Sequence, residues 1–135
     1  MDDTVDVPGV TTGTGPYPSA RRMGDLVFVS GQVSFDDDGR VVGTDVVTQT
    51  RHSLTRLDRV LAAAGATLRD IASATVYLTN AGDAAEFNEE WMRWFGGDHR
   101  PARATVVADL LDPRLLVEIQ AVAVTGHGAE GKEAE

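Results

Sequence analysis

Two periodicities run through this chain. Across 45–64, Thr50, Leu54, Leu57, Leu61 and Ala64 recur at steps of four and three, which is one stripe of an amphipathic helix. Thr44 or Asp45 can cap its start, and Gly65 suits the position just past its end. Residues 73–79 then switch to period two: Ala74, Val76 and Leu78 alternate with Thr75, Tyr77 and Thr79, as a strand with one apolar face requires. A second helix is predicted from Asp83, where Asp83 and Glu86 are spaced as a capping box. Ala84, Phe87, Trp91, Trp94 and Phe95 share one side of it, and Gly96-Gly97 stops it. Residues 26–30 form a β-run, and 40–42 can pair back across the Asp36-Asp37-Asp38-Gly39 turn. The last strands are 101–111 and 115–124, split by Asp112-Pro113-Arg114 and expected to pair with each other.

The resulting order, β-β-α-β-α-β-β, predicts an α+β domain whose mixed sheet carries two helices on one face. The other face needs a cover, and a further subunit is the natural one. The length of 135 residues suits a single domain. Its expected bounds are 13–125, with residues 1–12 as a loose arm and 126–135 as a disordered acidic tail.

Composition narrows the chemistry. A net charge of −9 disfavours a phosphate backbone or an anionic membrane as partner. There is no cysteine, so disulfides, thiolate metal sites and a thiol nucleophile are excluded. The only lysine is Lys132, in the expected tail, so Schiff-base catalysis is disfavoured. The acidic start lacks the apolar stretch of a signal peptide, and a cytoplasmic protein is expected. The three aspartates at 36–38 lack the spacing and glutamate of a calcium loop and read as a solvated turn. His52, His99 and His127 show no metal-ligand spacing. The aromatic residues of the second helix fit core packing better than a base-stacking platform.

Two charged residues stand out. Glu118 lies in the apolar run Leu-Leu-Val-Glu-Ile-Gln-Ala-Val-Ala-Val, on the face shared by Leu116, Gln120, Val122 and Val124. A carboxylate there is costly unless it is paired, protonated or open to water. Arg103 stands among small residues in Pro-Ala-Arg-Ala-Thr-Val-Val, where its fork can bind a carboxylate. An ion pair between Arg103 and Glu118 is the structural alternative, and a substrate can also sit between them. Tyr17, on the tight loop Gly-Pro-Tyr-Pro, suits either a pocket wall or a plain surface position. Ser30-Gly31-Gln32 closes the first strong strand; Gly31 permits close approach of a ligand, and Ser30 has no histidine to activate it.

In order along the chain stand Gly15-Pro16-Tyr17, Val29-Ser30-Gly31-Gln32, Gln49, Ala64-Gly65-Ala66, Asn88 with Trp91, Pro101-Ala102-Arg103 and Val117-Glu118-Ile119. This series resembles the reactive intermediate deaminase family, also called the YjgF/YER057c/UK114 family, over residues 13–125. The resemblance implies a chorismate-mutase-like subunit in a homotrimer, its sheets facing inward and three clefts lying between subunits. It implies cofactor-independent hydrolysis of 2-imino acids and their enamine tautomers to 2-oxo acids and ammonia. Arg103 and Glu118 occupy the positions of the family's carboxylate clamp and glutamate, and Tyr17, Ser30 and Gly31 match pocket positions. Thr105 stands where a cysteine or serine is usual, Pro18-Ser19 replaces Ser-Gln, and Gln120 replaces a second acid. Asp109-Leu110-Leu111-Asp112-Pro113 replaces a Leu-Pro pattern. These departures admit a pathway-specialised enzyme, such as a 2-aminomuconate-type deaminase. A non-catalytic binder of 2-oxo acids is the competing function. Ribonuclease action, also attributed to the family, fits the charge poorly.

Overall fold

The computed structural model describes residues 3–11 and 15–126. Six strands form one sheet: β1 (Thr4–Val5), β2 (Ala20–Met23), β3 (Leu26–Val33), β4 (Ile71–Leu78), β5 (Ala102–Val107) and β6 (Val117–Val124). Two helices, α1 (Val46–Ala63) and α2 (Ala84–Phe95), complete the predicted α+β architecture. The sheet order is β1-β2-β3-β6-β4-β5, antiparallel except for the parallel pair β4 and β5.

The α1 stripe packs as its spacing demands: Thr50, Leu54, Leu57, Leu61 and Ala64 are all buried. Asp45 caps the helix by accepting from Thr48 N at 3.0 Å, and Gly65 follows its end at φ +83°. In α2, Phe87, Trp91 and Phe95 are buried in a tilted ring stack, with centroids 5.6 and 4.5 Å apart. The expected capping box does not form, because Asp83 closes a preceding 3-10 turn and makes no side-chain cap. Between the helices the buried Glu90 accepts from Arg51, Arg93 and Trp94. Burial pushes its proton affinity up, but these donors together outweigh burial and hold its pKa below the ordinary value.

The core lies between the helices and one sheet face, where Val27, Val29, Val76, Ile119 and Ala121 point inward. The opposite face carries Met23, Leu26, Phe28 and Val106, all exposed.

Three expectations are corrected. The last two strands do not pair, because β4 lies between β5 and β6. The described part of the amino-terminal arm is held in place: Thr4–Val5 pairs with β2, Val7 is buried, and Arg56 and Arg59 donate to the carbonyls of Gly9 and Pro8. The segment 40–42 makes only an isolated bridge, between Val41 and Phe35. The expected acidic tail lies outside the described residues from 127 onward. The aspartate turn is a plain turn, with Asp36 Oδ1 accepting from the backbone of Asp38 and Arg40. Among the described residues, no helix is long and apolar enough to cross a membrane.

Candidate functional site

Ser30 and Gly31 fall within a register shift of β3 against β6, between Val29 and Gln32. Such a bulge re-aims the strand. Ser30 Oγ donates to Pro18 O at 2.7 Å, and Ser30 N to Ser19 O at 2.9 Å. The hydroxyl therefore serves as a tie that fixes the Tyr17 loop against β3. Gln32 Nε2 closes the bulge by donating to Ser30 O at 2.9 Å.

Gly31 faces Glu118. A Cβ at Gly31 would collide with Glu118 Oε2 and lie 2.9 Å from Cδ, so only glycine leaves the carboxylate its place. Glu118 is half-buried and has no hydrogen-bond or ion-pair partner among the described residues. Burial alone raises its pKa. Beside it opens a groove of about 510 Å³ that Tyr17, Gly31, Phe35, Leu111, Arg114 and Glu118 help to line. Tyr17 is 60% exposed at its rim. Tyr17, Ser30, Gly31 and Glu118 thus come together within one chain.

Arg103 lies elsewhere. It pairs in register with Ala74, which pairs with Ala121; both alanines are buried on the helix-bearing face. Glu118 pairs with Tyr77 and hence lines up with Val106 on the opposite face. Within one chain, the guanidinium and the carboxylate lie on opposite faces and on non-adjacent strands. The expectation of an Arg103–Glu118 ion pair across paired strands is overturned by the insertion of β4.

The Arg103 guanidinium sits 5.1 Å from the ring centres of both Phe87 and Trp91. Its Nη2 donates to Asn88 Oδ1 at 2.7 Å. Burial lowers its pKa, yet a guanidinium remains charged. Its charge is held on an aromatic bed, with Asn88 as its sole hydrogen-bond partner among the described residues. Thr105, two residues on along β5, shares this face and is exposed.

Sequence reasoning missed Phe35 in the groove, and it named Asn88 and Gln49 only in the series that carries the resemblance, without the roles they have here: Asn88 as a partner of Arg103 and Gln49 behind the groove. Gln49 was legible as a polar residue inside an apolar helix. Its Oε1 accepts from Leu116 N at 2.7 Å, and its Nε2 donates to Arg114 O and Gly43 O, both at 3.0 Å. The bonds to Arg114 O and Leu116 N hold the segment that ends in Glu118, and the bond to Gly43 O ties down the turn ahead of α1.

Residues 11–125 match the protein-family model described as Endoribonuclease L-PSP. The chain is 38% identical over 110 residues to a RutC family protein of Pyrococcus horikoshii, a match that covers 81% of this chain and 86% of that protein. Its fold is similar to the crystal structure of the E. coli YjgF gene product, with a TM-score of 0.80 and 30% identity over 90% of this chain and 98% of the other. It is equally similar, at a TM-score of 0.80, to a Mycobacterium tuberculosis protein described as a member of the highly conserved YjgF/YER057c/UK114 family. That pair is 32% identical, covering 93% of this chain and 100% of the other.

Proposed function

Because this chain belongs to the YjgF/YER057c/UK114 family, we propose that it hydrolyses 2-imino acids and their enamine tautomers to 2-oxo acids and ammonia. The observation that carries this reading is Glu118: an unpaired, half-buried carboxylate with raised proton affinity at the wall of a groove. A carboxylate so placed can hold a water and take its proton near neutral pH.

In this reading Arg103 binds the substrate carboxylate and fixes C2 in place. The water oxygen bonds to C2 while the electron pair of the C=N bond moves to nitrogen and one water proton moves to Glu118. Glu118 returns that proton to the nitrogen. The C2–N bond then breaks as the hydroxyl oxygen becomes the carbonyl, and the hydroxyl proton passes to the departing nitrogen, which leaves as ammonia. Gly31 O accepts a hydrogen bond from the imine nitrogen in this reading, Tyr17 closes the groove, and Thr105 stands beside the clamp. Spontaneous hydrolysis of imines is fast, so positioning and one proton carrier suffice without a cofactor.

In this reading the site is composite, which the opposed faces of Arg103 and Glu118 within one chain support. Arg103 of one copy meets Glu118 of the next, in the ring trimer that the family resemblance implies. The small-acid reading is favoured over the endoribonuclease of the family description by the net charge of −9, which offers no basic track for a phosphate backbone. It carries with it a cytoplasmic location, where pyridoxal-phosphate enzymes release such imines.

Mixing two inactive variants tests both parts. Arg103→Ala and Glu118→Ala should each lose turnover of imines formed in situ. After co-refolding in equal amounts, about one quarter of the clefts should carry both wild-type residues, and activity should return in that proportion. An active Arg103→Ala or Glu118→Ala homomer sinks the assigned roles. No recovery in a verified mixed oligomer sinks the composite cleft.

A further inference from the structure

We propose that the groove beside Glu118 receives the substituent on C2, and that it selects 2-imino acids with an apolar side chain of about leucine size over those carrying a methyl group or a second carboxylate. The inference rests on the deaminase reading. The groove, about 510 Å³, is larger than a three-carbon acid needs, and its walls include Val33, Phe35, Leu111, Pro113 and Leu115. Leu111 is fully exposed, whereas Leu115 on the same loop is buried. The loop is no floppy excursion, because Gln49 bonds Arg114 O and Leu116 N from inside the molecule. An apolar residue held in water at the mouth of a site gains when a ligand covers it.

The polar groups in the groove point to the same selection. Among the described residues Arg114 is the one cation lining it, and Asp112 occupies that cation: Nε and Nη2 donate to the two carboxylate oxygens at 3.1 and 2.8 Å. Arg114 N adds a third bond to Asp112 at 2.9 Å. These contacts hold Asp112 down at about 2, so both partners are charged at neutral pH. With Arg114 neutralised, the remaining charge is that of Glu118. A carboxylate on the substrate's side chain therefore finds no free cation among the described groove residues of this chain, and Arg103 of the next copy is taken by the C1 carboxylate, so an acidic substrate of the 2-aminomuconate type is disfavoured.

Imines generated in situ from leucine, alanine and glutamate by amino-acid oxidation test this with the full-length protein. We expect kcat/KM for the leucine-derived imine to exceed that for the alanine-derived one by about tenfold or more, with the glutamate-derived imine poorest. Asp112→Asn, which keeps an acceptor for Arg114 N but frees the guanidinium, should raise the glutamate-to-leucine ratio by about tenfold. Leu111→Ser should narrow the leucine-to-alanine ratio. Acceleration without preference among the three imines overturns the side-chain assignment and leaves the deaminase standing. Absence of acceleration for all three overturns the deaminase and this inference with it. Should a variant fail to fold, the wild-type ranking decides alone.

Discussion

Glu118 and Gly31 constrain each other: the carboxylate occupies the volume that any Cβ at position 31 would need. The outcome is an acid in an apolar strand with no partner among the described residues, a cost that packing alone would not select. The sign of that cost follows from its pKa. Burial raises the folded value above the ordinary 4.5, so between 4.5 and the raised value the native state binds more protons than the unfolded state. Wild-type stability therefore falls as pH rises through that window, and the full cost persists above it. Glu118→Gln removes the titration while keeping shape and polarity. Its Tm should exceed that of the wild type at neutral pH, and the gap should close as pH falls toward 4.5. Thermal melts across that range check it, and parallel curves for the two proteins would show that Glu118 does not carry this charge penalty. Loss of turnover together with a gain in stability is the pattern expected of a residue kept for chemistry.

Gln49 shows how one side chain ties helix α1 to the segment ahead of β6. It is fully buried, and both ends of its amide are used. Gln49→Leu keeps similar bulk but leaves Leu116 N and two carbonyls without their partner. At about 0.5–1.5 kcal/mol per bond, the expected loss is about 2–4 kcal/mol, read as a lower denaturation midpoint at unchanged m. KM should also rise, because the segment bearing Leu111 and Arg114 loses its anchor. A midpoint within error of wild type would show that these bonds do not hold the loop. The elements themselves were legible to different degrees. Both helices could be read from their periods and β4 from its alternation, because burial on one face imposes that pattern, while β6 could be read from its apolar run. β2 was not, since Ala20-Arg21-Arg22-Met23 carries no apolar run. It is a strand because β1 and β3 flank it. The placement of β5 was misread for a related reason. A short turn signal before β6 suggested a hairpin, whereas the crossover through α2 makes β5 parallel to β4. Glu118, Arg103, Tyr17 and Gly31 could be identified as residue types out of place. Their division between two faces could not, since strand order depends on contacts distant in sequence.

That division gives the open sheet face its meaning. Met23, Leu26, Phe28 and Val106 are 48, 39, 43 and 42% exposed, and the register puts them on the face that bears Glu118. An apolar patch of this kind on one side of a sheet whose other side is covered by helices marks a surface between proteins. In the proposed ring the open face of one chain, with its Glu118, receives the β5 edge of the next, which carries Arg103, so assembly and catalysis share one interface. Phe28 separates this from a local effect. It lies opposite Val122 on β6, in a register distinct from Glu118, and belongs to none of the groove walls. Phe28→Glu places a charge at the centre of the apolar patch while leaving the core untouched. Light scattering should show the trimer shifted toward monomer, circular dichroism should retain the mixed α and β signal, and imine turnover should fall with the trimer fraction. A Phe28→Glu protein that stays assembled and active would show that the open face is not where the copies meet. A monomer with undiminished turnover would instead return the whole reaction to one chain, which the opposed placement of Arg103 and Glu118 argues against.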